Sequence, residues 1–409
     1  MFLDKVRHIV LFLFVVLLFS CGDSGSENTV PPAIVAKGEK ADKTLLIYMM
    51  AENSLCGFVS DDIVEIRKAV ARIPNDCRLF VYVDDKAAPV LSQYFGLSDG
   101  SVGKEDYHPF SADVCSSDTA SLGKVLDFIL NDYPTESLDL VLWSHGDGWL
   151  RGPLKTASQR SIGIDNGKNT ADDNVTETIE IEELASLLER LPLKVNRLLF
   201  DACFMQCAES SYALRNVVEW IIASPAEIPG TGAPYDTVVP EFFISDKPEG
   251  IIDAYIVGYE NRRVGAVLSA VRASEMQRLA DATYANIIKY FNVDRKRDYD
   301  GVFSYLPGGK YNDSKAYPSY FDMNAVMQRF LSKDDYLRWH EVYESAVSYI
   351  LSSPEWYSEL CGRSIEYDDV KGGGMSVYMP QNSSYNEKFN SDFVTTEWYS
   401  AAGWREAGW

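Results

Sequence analysis

A histidine and a cysteine stand at the ends of two short apolar stretches of the chain. His145 follows the mostly apolar stretch 138–143, and Cys203 follows the mostly apolar stretch 195–200. A thiol is nucleophilic as the thiolate, and a neighbouring histidine can take the thiol proton. We therefore predict that Cys203 is a nucleophile and that His145 is its acid/base partner.

The two apolar stretches are typical of buried β-strands because they are short and contain neither glycine nor proline. A segment with helical spacing, 180–191, lies between them, which predicts that the strands are parallel neighbours in one sheet. Open α/β sheets bind ligands at the carboxyl ends of their strands. His145 and Cys203 are therefore expected to meet at one sheet edge.

Three groups beside this pair are candidates for substrate binding. The backbone N–H groups of Gly146 and Cys203 could stabilise a carbonyl oxyanion, and loss of one such donor costs about 10²–10³ in rate. Asp201 precedes Cys203 by two positions, so strand alternation places both side chains on one side. Its carboxylate suits a cationic substrate side chain. The alternative is that Asp201 caps a helix beginning near 204 or 205, whose dipole would favour the thiolate.

A metal site is the competing interpretation of the same residues. Cys207 lies four positions after Cys203, so a helix there would bring both thiols to one face, with His145 as a third ligand. This spacing is a weak zinc pattern, and a small buried side chain is the simpler role for Cys207. We therefore assign no metal ligands from the sequence.

Composition narrows the possible partners. The 409 residues can bury a large core and hold two domains, and their formal charge of −22 argues against nucleic-acid binding. A negative charge of this size suits the binding of cationic peptides. The alternative is that it is simply the surface charge of an acidic exported protein. Seven irregularly spaced cysteines do not indicate a dense disulfide framework, although one bridge from Cys56 to Cys77 or Cys115 stays open.

Residues 1–20 have the pattern of a signal peptide, with a basic start and the short apolar run 9–19. The Leu-Phe-Ser-Cys sequence that ends at Cys21 resembles a bacterial lipobox, which implies cleavage before Cys21 and a lipid on its sulfur. The alternative is an ordinary signal peptide with an incidental cysteine. Residues 21–42 are then a lipidated flexible tether, and we expect anchoring to the cell envelope, at the outer membrane or cell surface.

The remaining chain predicts an α/β domain at 43–245, with a largely parallel sheet, and a mostly helical subdomain at 246–409. Within the latter, 374–380 is a candidate strand that returns to the main sheet. The long polar segment 150–178 follows the His145 strand and is expected to overhang the site. Four of its acids could bind calcium, although solvent-exposed loop acids are the simpler interpretation: Asp165, Asp172, Asp173 and Glu177.

Ordered motifs along nearly the whole chain resemble the clostripain family (C11) of clan CD cysteine peptidases, the clan of caspases and legumain. The two strongest are the His-Gly block at 145–149 and the Asp-Ala-Cys block at 200–205. The others lie at 46–55, 223–225, 230–235, 268–270, 320–323 and 374–380. Gln206 and Ala233 depart from the family pattern, where we expect a glycine and a common tryptophan, and these departures concern fine specificity.

The resemblance implies a caspase-like three-layer sandwich and a Cys203–His145 dyad that cleaves after Arg or Lys, with Asp201 in the S1 pocket. It implies no required cofactor, although some relatives use calcium. Many relatives are zymogens cut in the loop after the histidine, so four residues precede candidate self-cleavage bonds: Arg151, Lys155, Arg160 and Lys168. The predicted function is an exported, lipid-anchored cysteine endopeptidase acting on peptides or proteins. The alternative is an inactive surface lipoprotein that keeps the fold for peptide binding or adhesion.

Overall fold

The structure, a computed structural model, describes residues 35–85, 88–151, 161–165, 178–262, 264–311 and 315–409. The strands in these ranges are β1 (Ala41–Met50), β2 (Cys77–Asp84), β3 (Val90–Gly96), β4 (Val102–Tyr107), β5 (Thr135–Trp143), β6 (Val195–Asp201), β7 (Val218–Ala223), β8 (Val267–Arg272), β9 (Ser304–Leu306), β10 (Gly309–Tyr311), β11 (Lys315–Tyr317), β12 (Tyr320–Asp322), β13 (Val347–Ser352), β14 (Glu355–Ser358), β15 (Arg363–Glu366) and β16 (Ser376–Val377). The α-helices are α1 (Val59–Ala69), α2 (Thr119–Asp132), α3 (Ile181–Glu189), α4 (Ala208–Ala213), α5 (Tyr235–Ile244), α6 (Glu249–Arg262), α7 (Met276–Tyr290), α8 (Met323–Phe330), α9 (Lys333–Ala346), α10 (Glu387–Phe393) and α11 (Glu397–Ala401).

Nine strands form one central sheet in the order β13-β8-β7-β6-β5-β1-β2-β3-β4. The five middle strands, from β7 to β2, run parallel, as the crossover helices between apolar runs predict. Antiparallel pairs extend the sheet at both ends, with β3 and β4 on one side and β8 and β13 on the other. The predicted largely parallel sheet is therefore confirmed.

Alternation along the central strands divides the core into two layers. In β1, Leu46 and Tyr48 point to the core that contains residues of α2, α3, α4 and α7. Their neighbours Leu45 and Ile47 point to the opposite core, built with α1, α5 and α6. Because successive side chains of a strand face opposite sides, a strand covered on both faces is apolar at most positions. The fold is thus the three-layer sandwich that the family resemblance implies.

The C-terminal residues complete the main sheet rather than standing beside it. Strands β8 and β13 lie beyond the boundary predicted at 245, and the described residues from 35 onward belong to one compact unit. The expected return of 374–380 to the main sheet is wrong. Its strand β16 pairs with β12 in a separate three-stranded sheet, and β13 occupies the position beside β8 at that end of the main sheet.

Candidate active site

The ends of β5 and β6 bring His145 and Cys203 to the same edge of the sheet. The two strands pair in parallel, with Trp143 opposite Asp201. The Ser144 N–H continues this pairing by donating to the Asp201 carbonyl at 3.4 Å. His145 and Cys203 each lie two positions beyond that last pair, so the strand register matches the sequence prediction.

Gly146 packs tightly against the turn that carries Cys203. A Cβ atom on Gly146 would lie 2.8 Å from the Met205 sulfur and 2.9 Å from the Cys203 carbonyl oxygen. Gly146 also faces Ile162 in an antiparallel bridge, whose hydrogen bonds use the flanking residues His145 and Asp147. The bridge does not use the Gly146 N–H as a donor. A backbone N–H that stabilises an oxyanion has to be available in this way. The glycine is needed here for close packing on the turn that carries Cys203.

The turn after Cys203 is not helical, which corrects the predicted helix start near 204 or 205. Phe204 has a positive φ of 61°, a left-handed conformation that a helix cannot contain. Its N–H donates to the Ala226 carbonyl at 3.0 Å, its ring stacks on Tyr320, and α4 begins only at Ala208. Cys203 therefore receives no help from a helix dipole.

The same turn removes the basis of the zinc interpretation. Cys203 and Cys207 do not share a helical face, because no helix connects them. Cys207 is fully buried, and its sulfur lies 3.1 Å from the Ser210 hydroxyl. Cys207 is therefore a small buried side chain, which is the simpler of the two roles considered for it from the sequence.

The Cys203 thiol lies in acidic surroundings. The sulfur lies 3.4 Å from the Ile228 N–H, which donates to it, and 3.8 Å from the Ile228 carbonyl. Burial, followed by the negative charge of Glu227, raises the pKa of Cys203 to about 12, and Asp147 and Asp201 add to the rise. Below that pKa the side chain is a thiol, so Cys203 would need a base to act as a nucleophile.

The connection between β1 and α1 orients His145. The Nε2 atom of His145 lies 2.9 Å from the hydroxyl of exposed Ser54. The buried amide of Asn53 donates to the Met50 and Ile164 carbonyls, both at 2.8 Å. No local pattern predicted a role for Ser54, Asn53 or Glu227. The first two follow an apolar strand in the same way as His145, and that signal could have identified them.

Asp201 is buried behind the 230–235 segment. One of its carboxylate oxygens accepts hydrogen bonds from the Ala233 N–H at 2.9 Å and the Tyr235 hydroxyl at 2.7 Å. The other accepts from the Tyr255 hydroxyl at 2.9 Å. Burial raises the pKa of Asp201, and these three hydrogen bonds oppose the rise. The helix-capping alternative is wrong, because the donors come from 233–255 and not from α4.

A cavity of about 310 Å³, lined by acidic and basic side chains, lies beside the same segment. Asp62 in its wall is buried, and burial together with the negative charges of Asp201 and Glu65 raises the pKa of Asp62 to about 8. Arg262 forms an ion pair with Glu65 at the cavity. The lining residues are Phe58, Asp61, Asp62, Val64, Glu65, Lys68, Thr231 and Arg262.

The segment after His145 is described only in part. Arg151, a candidate self-cleavage residue, forms a 3.1 Å ion pair with Glu182. Asp165 is buried and accepts a 2.9 Å hydrogen bond from the Ser116 hydroxyl, so its interpretation as a solvent-exposed loop acid is wrong. The remaining predicted sites lie outside the described residues: Cys21, Lys155, Arg160, Lys168, Asp172, Asp173 and Glu177.

The described residues contain neither the disulfide bridge that the sequence left open nor a helix that could span a membrane. All six described cysteines are free, so Cys56 is bridged neither to Cys77 nor to Cys115. Within the same ranges, no helix is both long enough and apolar enough to cross a membrane.

Comparison with known proteins identifies the family. The clostripain family profile matches residues 47–409, and no curated protein matches the chain. A secreted C11 cysteine protease from Bacteroides thetaiotaomicron, solved with an irreversible peptide inhibitor, is 28% identical, with a TM-score of 0.74 over 90% of this chain and 100% of that one. An inactive zymogen C11 protease from Parabacteroides distasonis is 27% identical, with a TM-score of 0.69 over 89% and 98%. The chain therefore belongs to the clostripain family of cysteine peptidases.

Proposed function

We propose that the chain is an exported endopeptidase that cleaves after Arg or Lys, with Cys203 as nucleophile and His145 as general acid/base. The observation that carries the proposal is the register of β5 and β6, which sets both residues two positions beyond a paired Trp143 and Asp201. Family membership supplies the reaction class.

The reaction proceeds through a thioester. His145 takes the Cys203 proton as the sulfur attacks the scissile carbonyl carbon, and the carbonyl electrons move to oxygen. The N–H groups of Gly146 and Cys203 stabilise that oxyanion. The C–N bond then breaks, the amine leaves with the proton from His145, and water hydrolyses the thioester to release the acid and restore the thiol.

Two acidic features support a preference for a cationic P1 side chain. Asp201 lies two residues before Cys203, and the cavity beside Thr231 carries Asp61, Asp62 and Glu65 together with two basic side chains, Lys68 and Arg262, the latter paired with Glu65. The three hydrogen bonds to Asp201 fix its carboxylate behind the loop. A guanidinium or ammonium group gains most from carboxylates that are held out of water.

Peptide cleavage tests this function directly. Fluorogenic peptides that differ only at P1 should be cut after Arg and Lys and not after Glu. Cys203→Ala and His145→Ala should each lower kcat/KM by about 10³-fold or more. Cys56→Ala and His340→Ala are the matched controls and should leave it unchanged. A folded, processed protein that cuts none of these peptides would overturn the proposal.

Self-processing and anchoring belong to the same proposal. Cleavage after Arg151, Lys155, Arg160 or Lys168 would open the segment that follows His145, and a lipid on Cys21 would hold the enzyme at the cell envelope. Intact mass spectrometry should find two chains and a lipid-modified Cys21 in the wild type. Cys203→Ala should keep the lipid and remain a single chain. Identical cleavage in both proteins would assign the cut to another protease.

A non-catalytic peptide-binding lipoprotein is the second candidate, and the protonated state of the Cys203 thiol favours it. An electrophilic P1-Arg peptide separates the two functions. A peptidase should become labelled at Cys203, and His145→Ala should abolish that labelling. Labelling that is equal in both proteins would indicate an exposed thiol without catalytic function.

A further inference from the structure

Tyr320 contacts both the turn after β5 and the turn after β6. Its hydroxyl donates to the Asp147 carbonyl at 2.8 Å, two residues beyond His145. Its ring stacks on that of Phe204, the residue after Cys203, with the ring centroids 4.5 Å apart and the planes 25° from parallel. Tyr320 is 2% exposed, so water does not compete for either contact. One side chain therefore spans the two segments that carry the candidate catalytic pair.

Phe204 depends on such a contact because its backbone conformation is unfavourable. Its φ of 61° lies in the left-handed region, which residues other than glycine rarely adopt and which persists where neighbouring groups hold it. The Ala226 carbonyl holds its N–H at 3.0 Å, and Tyr320 holds its ring. Loss of the stacked ring should therefore let the turn that carries Cys203 relax toward an ordinary backbone conformation.

The small sheet that carries Tyr320 is fixed on both sides. Tyr320 belongs to β12, which pairs with β9 and β16. Asp322, at the end of β12, is fully buried and accepts a hydrogen bond from the Tyr305 hydroxyl at 2.6 Å. In β16, the Ser376 N–H donates to the Gln206 carbonyl at 2.9 Å, which adds a backbone contact to the turn after Cys203. The sheet thus supports the same turn at two places.

We propose that Tyr320 is a positioning residue that sets how Cys203 and His145 face each other. The inference rests on the proposed peptidase function, because it concerns how the two side chains are held for proton transfer. Tyr320 acts through Asp147 on one turn and through Phe204 on the other. Misplacement of reacting groups by about 1 Å costs on the order of 10² in rate. The motif at 320–323, to which the catalytic pair gives no function, acquires one in this way.

Two substitutions separate the two contacts. Tyr320→Phe removes the hydroxyl and keeps the ring, whereas Tyr320→Leu removes both. With a P1-Arg fluorogenic peptide, kcat should fall about tenfold in Tyr320→Phe and about 10²-fold in Tyr320→Leu, with KM changed by less than about twofold. Tyr343→Phe is the matched control, because its buried hydroxyl also donates to a backbone carbonyl, that of Gly373, at 2.8 Å. This control should leave kcat and KM unchanged.

A double-mutant cycle tests the route through Phe204. Phe204→Leu should lower kcat by itself, because it removes the same stacked pair of rings. The double variant with Tyr320→Leu should keep the kcat of Tyr320→Leu to within about threefold, because that single variant has already lost the stack. Effects that multiply in the double variant would show that the two residues act independently, and they would overturn the inference.

Hydrogen exchange tests the positioning role separately from peptidase activity. In the full chain carrying Cys203→Ala, Tyr320→Leu should speed exchange at 145–149 and at 203–207, and should leave exchange in α9 unchanged. Tyr343→Phe should speed exchange at neither turn. Unchanged exchange at both turns, or faster exchange throughout the chain as ordinary core packing would give, would overturn the inference.

Two further outcomes are distinguishable. If Tyr320→Leu does not fold, Tyr320→Phe decides the question: faster exchange at 145–149 supports the role of Tyr320, and unchanged exchange there overturns it. A folded wild type that cuts no peptide would overturn the proposed function, while the exchange rates of the variants would still report whether Tyr320 holds the two turns.

Discussion

At the scale of single residues, the protonation state of Cys203 defines the resting site. Its pKa of about 12 arises from burial and from Glu227, Asp147 and Asp201, and the Ile228 N–H offsets only part of this. A raised pKa means that the thiol predominates at every pH below about 12. In the proposed peptidase, attack would therefore be coupled to proton transfer to His145, because imidazole is a common general base.

Alkylation of Cys203 by iodoacetamide should therefore rise with pH. The thiolate fraction grows about tenfold per pH unit below the pKa, so the rate should climb from pH 6 to 10 without a plateau. Glu227→Gln removes a negative charge, lowers the pKa of Cys203 and should increase the rate at pH 8. Glu219→Gln is the surface control. Peptide mapping measures the rate at this cysteine, and a plateau below pH 8 would contradict the prediction.

At the scale of elements, the strand ends of β5 and β6 could be predicted, and the turn after Cys203 could not. Apolar runs separated by a helical segment are enough to predict parallel neighbours and their shared edge. The non-helical turn depends on Phe204, whose N–H bonds to Ala226 and whose ring packs on Tyr320. Both partners are distant in sequence, so no local pattern around Phe204 indicates them.

Gly146→Ala should push the end of β5 away from the turn that follows β6. Its added methyl group would meet the Met205 sulfur at 2.8 Å and the Cys203 carbonyl at 2.9 Å. Displacement of catalytic groups by about 1 Å costs on the order of 10² in rate, so kcat/KM should fall by about that factor. Gly96→Ala, where a Cβ meets nothing within 4 Å, is the control. Unchanged activity in Gly146→Ala would show that the turn after Cys203 accommodates the methyl group without displacing the catalytic groups.

At the scale of the whole molecule, a buried ion pair ties the sheet to one helical layer. Arg197 of β6 donates from Nε to Asp139 of β5 at 2.9 Å, and both side chains are inaccessible to solvent. The same guanidinium donates to the Phe242 carbonyl of α5 at 2.6 Å. One side chain thus joins two central strands and the helix that covers them.

Arg197→Met should destabilise the fold by about 3–5 kcal/mol, because it leaves the Asp139 charge buried without its partner. Lys194→Met breaks an exposed pair with Glu219 and should cost about 0–1 kcal/mol. Urea denaturation of the two variants, each with Cys203→Ala to prevent self-digestion, measures the difference. Equal costs would show that the buried pair contributes no more than a surface one.

The sequence by itself determined the family motifs, the sheet class and the shared edge of His145 and Cys203. These follow from apolar periodicity and strand polarity, which are local properties of the chain. Tertiary structure decided what surrounds that edge: the tyrosines on Asp201, Glu227 near the thiol, and Tyr320 between the two turns. These groups come from segments far apart in sequence, and their hydrogen bonds and charges act only once the sheet has brought the segments together.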